Sequence, residues 1–146
     1  MIINLFQKSV FILFFAFCSS FVAAQEYMIG ADLSFTKEAE EKGFTFKEDD
    51  KPKKVLQIFK DHGYNWIRLR LFHTPTDLPN SLAYTISLAK EAKEKGYKFL
   101  LDYHYSDTWA DPAQQFVPKA WQGKTQEQVE QLVFQYTKKT MEAFRE

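Results

Sequence analysis

The chain has 146 residues, and its 19 lysines and arginines are balanced by 19 aspartates and glutamates, which excludes the strongly basic surface that nucleic acid or an anionic membrane would call for. A hydrophobic content of 45%, with 17% aromatic residues, excludes a disordered chain. The single cysteine, Cys18, excludes a disulfide framework.

In chain order, Met1 to Ala24 predicts a secretory signal peptide. Lys8 is the only charge before Glu26, and the apolar stretch Val10 to Phe17 is shorter than the ~20 residues of a spanning helix. Val22-Ala23-Ala24 sets small residues before a cleavage point at Gln25. A lipoprotein signal at Cys18 fits less well, because Phe17 precedes it. The mature segment, residues 25–146, is therefore expected outside the cytoplasm, secreted or periplasmic, with no membrane contact after cleavage.

Tyr27 to Ala31 reads as a short buried strand ending at Asp32. Ser34 to Asp50 is polar and irregular, with a helical turn around Lys37 to Glu41. Pro52 is expected to open a helix capped by Asp49 or Asp50, striped with Val55, Leu56, Ile58 and Phe59 and ended by Gly63. Tyr64 to Phe72 is dense in apolar and aromatic residues and predicts a strand buried on both faces. A second helix is expected from Ser81 to Lys95, ended by Gly96, and a third strand from Tyr97 to Tyr103. A long loop, Asp107 to Gly123, leads to a third helix. Thr125 and Gln128 form its capping box, and Val129, Leu132, Val133, Tyr136, Thr140, Met141 and Phe144 its apolar stripe.

His62 to Leu69 parallels Lys95 to Asp102: a helix end, a glycine, a tyrosine, then a strand. The spacing from Gly63 to Gly96 is close to the roughly 30 residues per unit of a (β/α)8 barrel. The fold class is thus α/β, a partial (β/α)8 TIM barrel comprising about the first three β/α units of eight. A doubly wound sheet is the alternative, but no glycine-rich turn follows any strand.

In such a fold the chemistry gathers at the C-terminal strand ends. Asp32 ends the first strand. Arg68 and Arg70 share one face of the second, and Asp102 and His104 one face of the third. Ser106, Asp107, Trp109 and Asp111 follow in the loop. The arginines either pair with Asp32 or Asp102 as a structural network or orient a carboxylate, and the two roles are compatible. A metal at Asp102 and His104 would lack further ligands, since His62 and His73 lie elsewhere, so no metal or cofactor is expected. Trp109 offers a flat apolar face to a ligand or fills the core; Trp66 reads as core, and Trp121 as either.

The stretch LLDYHYSDTWADP, Leu100 to Pro112, resembles the third-strand signature of glycoside hydrolase family 53, the endo-β-1,4-galactanases. Ile29 to Asp32, Tyr64 to Leu71, Tyr84 to Lys90 and Lys119 to Trp121 fit the same family in order. The resemblance implies a (β/α)8 barrel that cleaves β-1,4-galactan with retention, using two glutamates. In the family the acid/base follows an asparagine after the fourth strand, and the nucleophile lies on a much later strand. These residues contain no Asn-Glu pair, so both glutamates are expected beyond Glu146, and Glu127, Glu130, Glu142 and Glu146 do not replace them. By resemblance, Arg68 or Arg70 would hold the nucleophile's carboxylate. His104, Asp107 and Trp109 would line the subsites beside the scissile bond, and Asp32 would close the floor, with Asp111 and Trp121 less defined. The implied partner is galactan, with no nucleic acid, and the full-length protein is expected as a monomer. The competing readings are a barrel glycosidase on another β-linked polysaccharide, such as mannan or a glucan, and a catalytically inactive carbohydrate-binding fragment.

Overall fold

Apart from one hairpin, helix and strand alternate along the chain in the computed structural model, which describes residues 26–145; the expected signal peptide and Cys18 lie outside them. The elements are β1 (Gly30–Asp32), α1 (Thr36–Glu41), β2 (Lys47–Glu48), β3 (Lys51–Pro52), α2 (Val55–Asp61), β4 (Trp66–Leu71), α3 (Leu82–Glu94), β5 (Lys98–Tyr103), a 3-10 turn (Lys119–Trp121) and α4 (Gln126–Ala143). Among the described residues no helix is long and apolar enough to cross a membrane.

The helix ends are written locally. Ser81 caps α3 by accepting from the Tyr84 amide at 3.4 Å. At α4 the capping box is closed in both directions: Gln128 N–H donates to Thr125 Oγ1 at 3.3 Å, and Thr125 N–H to Gln128 Oε1 at 3.0 Å. Gly63 and Gly96 follow α2 and α3 at φ of 83° and 72°, where a Cβ would be strained.

The entry to α2 differs from expectation. Pro52 lies in the β2–β3 hairpin, and the helix begins at Val55. Asp49 and Asp50, expected as caps, form the hairpin turn at φ of 48° and 60°, a left-handed conformation that aspartate tolerates better than most residues. The helix end is satisfied from elsewhere, as the Val55 amide donates to Glu40 Oε1 at 3.0 Å.

β1, β4 and β5 form a parallel sheet in the order β1-β4-β5, with Asp32 beside Arg68 and Arg70 beside Asp102. Ile67 and Leu69 point to the helices and are buried with Leu56, Leu88, Ala89 and Ala92, and Leu71 is buried on the same side of the strand. Each such side chain stabilises the fold by roughly 1.5–3 kcal/mol. Among the described residues nothing covers the other face of β4, which carries Trp66, Arg68 and Arg70, so within them the strand is buried on one face and not two. The helices of the described residues cover a single side of the sheet, and the pleat sends alternate side chains to opposite sides. Trp66, expected as core, is half-buried on the open face with Lys98 Nζ 5.9 Å from its ring centre. Phe99 faces the helix side and packs on Phe144 at 5.2 Å between ring centres.

Candidate functional site

The open face of the sheet gathers charge toward its C-terminal edge. Parallel register sets Asp32, Arg68 and Leu100 in one row and Arg70 and Asp102 in the next. Arg70 Nη2 forms an ion pair with Asp32 Oδ2 at 2.9 Å, and Arg68 Nη1 lies 3.5 Å from the same oxygen. Arg68 Nη2 pairs with Asp102 Oδ2, which is also 4.0 Å from Arg70 Nε. Two guanidiniums and two carboxylates therefore interlock across three strands.

His104 continues this row just past β5. Its Nδ1 accepts from the Ala110 amide at 3.3 Å, so the neutral ring carries its proton on Nε2. Nε2 lies 3.3 Å from Asp102 Oδ2 but outside hydrogen-bond geometry. Arg70 Nε is likewise buried, and neither donor has a hydrogen-bond partner among the described residues. Two donors thus flank Asp102 unengaged, a costly state for buried polar groups unless something else binds them.

Trp109 is 41% exposed and leans over this cluster. Arg70 Cζ sits 4.8 Å from its ring centre, Phe35 stacks on it at 5.5 Å, and Phe72 and His104 meet it edge-on. Arg70 therefore joins the ionic cluster to the aromatic one.

Asp107 is held by backbone amides at both of its carboxylate oxygens. Its Oδ1 accepts from the Thr74 amide at 2.9 Å and its Oδ2 from the Lys119 amide at 2.8 Å, so the carboxylate ties two loops together. Asp111 accepts from the Ala113 and Gln114 amides, closing a local turn. Trp121 is buried against His73 and Tyr136. Phe35 and Ser34 carry no signature of their own in the sequence; the signal that could have found Ser34 is its place two residues after Asp32, where a serine hydroxyl reaches back to an aspartate. Among the described residues no group of three or more His, Cys, Asp or Glu side chains is placed to hold a metal.

Burial lowers the His104 pKa from its ordinary value of 6.5, against the pull of Asp102. Burial lowers His73 in the same way, against Asp107. Both rings are harder to protonate folded than unfolded. Their contribution to stability is complete above the unfolded value and is lost as the pH falls from there through the lower folded values. In the whole protein the unfolding free energy is expected to drop more steeply between about pH 7 and about pH 5 in the wild type than in a His104→Asn variant. Denaturant titrations at the two pH values check this, and parallel slopes would remove His104 from the account.

Parallel strands joined by helical crossovers, with charged side chains meeting at the carboxyl ends, define a (β/α)8-barrel protein of which this chain forms about three β/α units. Residues 28–146 match the model of glycosyl hydrolase family 53, and the chain belongs to that family. It is 40% identical over 117 residues to an arabinogalactan endo-β-1,4-galactanase of Cellvibrio japonicus (strain Ueda107), covering 79% of this chain and 31% of the relative. It is 34% identical over 127 residues to an endo-β-1,4-galactanase of Bacillus subtilis (strain 168), covering 81% of this chain and 30% of that one. A solved fungal β-1,4-galactanase structure superposes with a TM-score of 0.77 at 33% identity, over 84% of this chain and 36% of its own. The chain spans about a third of the length of the curated relatives it matches.

Proposed function

We propose that the protein is a retaining, endo-acting glycoside hydrolase of β-1,4-galactan, and that this chain supplies the sugar-binding half of its site. The observation that carries this reading is the pair of unengaged buried donors, Arg70 Nε and His104 Nε2, beside the exposed ring of Trp109. The galactanase names of the relatives give the substrate.

The two catalytic glutamates come from residues outside these 146, and a later strand brings the nucleophile to the arginines. Arg70, with Arg68 behind it, holds that carboxylate, since a nearby positive charge favours the ionised form. The neutral His104 ring donates from Nε2 to a sugar hydroxyl. Trp109 gives the sugar's apolar face a surface. Asp32 and Asp102 hold the guanidiniums in place from the floor. Asp107 acts through the loops it ties. The protein is exported by cleavage after Ala24 and works as a monomer.

The test is a polysaccharide panel with the whole protein. Internal cleavage of β-1,4-galactan, with arabinan and cellulose spared and the anomeric configuration retained, is the expected result. Preference for mannan or a glucan would move the protein to another β-linked substrate, and no cleavage of any would leave a binding protein.

A further inference from the structure

Ser34 lies in the turn after β1 and is 1% exposed. Its Oγ donates to Asp32 Oδ1 at 2.5 Å, and its amide points to the same oxygen at 3.2 Å. The same Oγ accepts from the Arg70 amide of β4 at 2.9 Å. The serine is itself clamped, because the buried Asn80 donates from Nδ2 to the Ser34 carbonyl at 3.1 Å.

A hydroxyl has one proton, and here it is committed to Asp32. Ser34 therefore cannot donate to a sugar and acts only through its partner. The Asp32 carboxylate is planar, so fixing Oδ1 decides where Oδ2 points. Oδ2 is the oxygen that forms the ion pair with Arg70 Nη2 at 2.9 Å and faces Arg68 Nη1 at 3.5 Å. Arg70 in turn carries the unpartnered Nε and lies over Trp109. One hydroxyl thus joins the backbone of β4 to the carboxylate of β1 and sets the angle of the guanidinium between them.

We propose that Ser34 is a positioning residue whose hydroxyl sets the Asp32 carboxylate, and through it the Arg70 guanidinium, for sugar binding. This rests on the strand-end cluster being the sugar site of a galactanase. The bland alternative is that Ser34 only satisfies the Arg70 amide and holds the sheet together.

Kinetics of the whole protein on galacto-oligosaccharides separate the two. Ser34→Ala is expected to raise KM about tenfold with a smaller change in kcat, the size expected when a hydrogen bond to a charged group is lost. Ser34→Thr, which keeps the hydroxyl, restores most of the loss. Should Ser34→Ala not fold, Ser34→Cys, a weak donor of similar size, carries the same comparison. Because Ser34 works through Asp32, the serine change adds little in an Asp32→Asn background. Leu88→Ala, buried on the helix side of the sheet, lowers the melting temperature and leaves KM unchanged. A wild-type KM in Ser34→Ala, or full additivity with Asp32→Asn, overturns the proposal. If the wild type leaves galactan intact, the functional reading fails by itself. Ser34 is then judged by the crystal structure of Ser34→Ala: a turned Asp32 carboxylate supports positioning, and an unmoved Asp32–Arg70 pair overturns it.

Discussion

Arg70→Ala in the whole protein is expected to lower kcat/KM on galactan by about a hundredfold, as charge-assisted hydrogen bonds worth roughly 1.5–3 kcal/mol each are lost. Arg70 reaches Asp32 at 2.9 Å, Asp102 at 4.0 Å and the Trp109 ring at 4.8 Å. Truncation leaves two carboxylates facing Arg68 alone, and it removes the unpartnered Nε donor. The Trp109 ring also loses its cation, a contact worth roughly 0.5–1 kcal/mol. Arg70→Lys keeps the charge but not the planar fork, so it recovers only part of the activity. The cost in stability is smaller than the roughly 3–5 kcal/mol seen when fully buried pairs are broken, because the Arg70 side chain is 21% exposed. Steady-state kinetics with thermal melts check both. Activity within a few-fold of wild type would reduce the arginine pair to a structural network.

Residues 25–146 expressed alone are expected to self-associate, to show no cooperative melt and to release no sugar from galactan. β1 and β5 each pair on one side only among the described residues, leaving backbone donors and acceptors at both edges. Strand edges of that kind template pairing with other chains. Large apolar side chains stay in contact with water: Leu100 on the open face, Met28 before β1, and Phe134 and Met141 on α4. Each forfeits roughly 1.5–3 kcal/mol against burial, and a whole domain is stable by only about 5–15 kcal/mol. Size-exclusion chromatography with light scattering and a thermal melt give the answer. A monomer with a sharp transition would establish a self-contained unit.

Much of the architecture was legible in the order of residues. The capping box at Thr125 and the glycines after α2 and α3 are signals within a few residues, and the helices start or end where those signals stand. The two-residue spacing of Arg68 and Arg70 was enough to put both guanidiniums on one face, because strand periodicity is local. The β2–β3 hairpin escaped because it is only two residues long on each side, and α2 is capped by Glu40, fifteen positions before the amide it serves. The side to which each strand residue points is also not local. Trp66 and Phe99 are both large and aromatic, yet they lie on opposite faces, and only the packing of α2 and α3 against Ile67 and Leu69 makes one face the core. Sequence by itself determined which residues stand at the strand ends, since that follows from counting along a chain of fixed period. Tertiary structure alone decided that Asp107 ties loops, that Phe35 and Arg70 both bear on Trp109, and that Ser34 turns Asp32 toward Arg70. Those contacts join residues brought together by parallel register across three strands, and no local preference encodes that register.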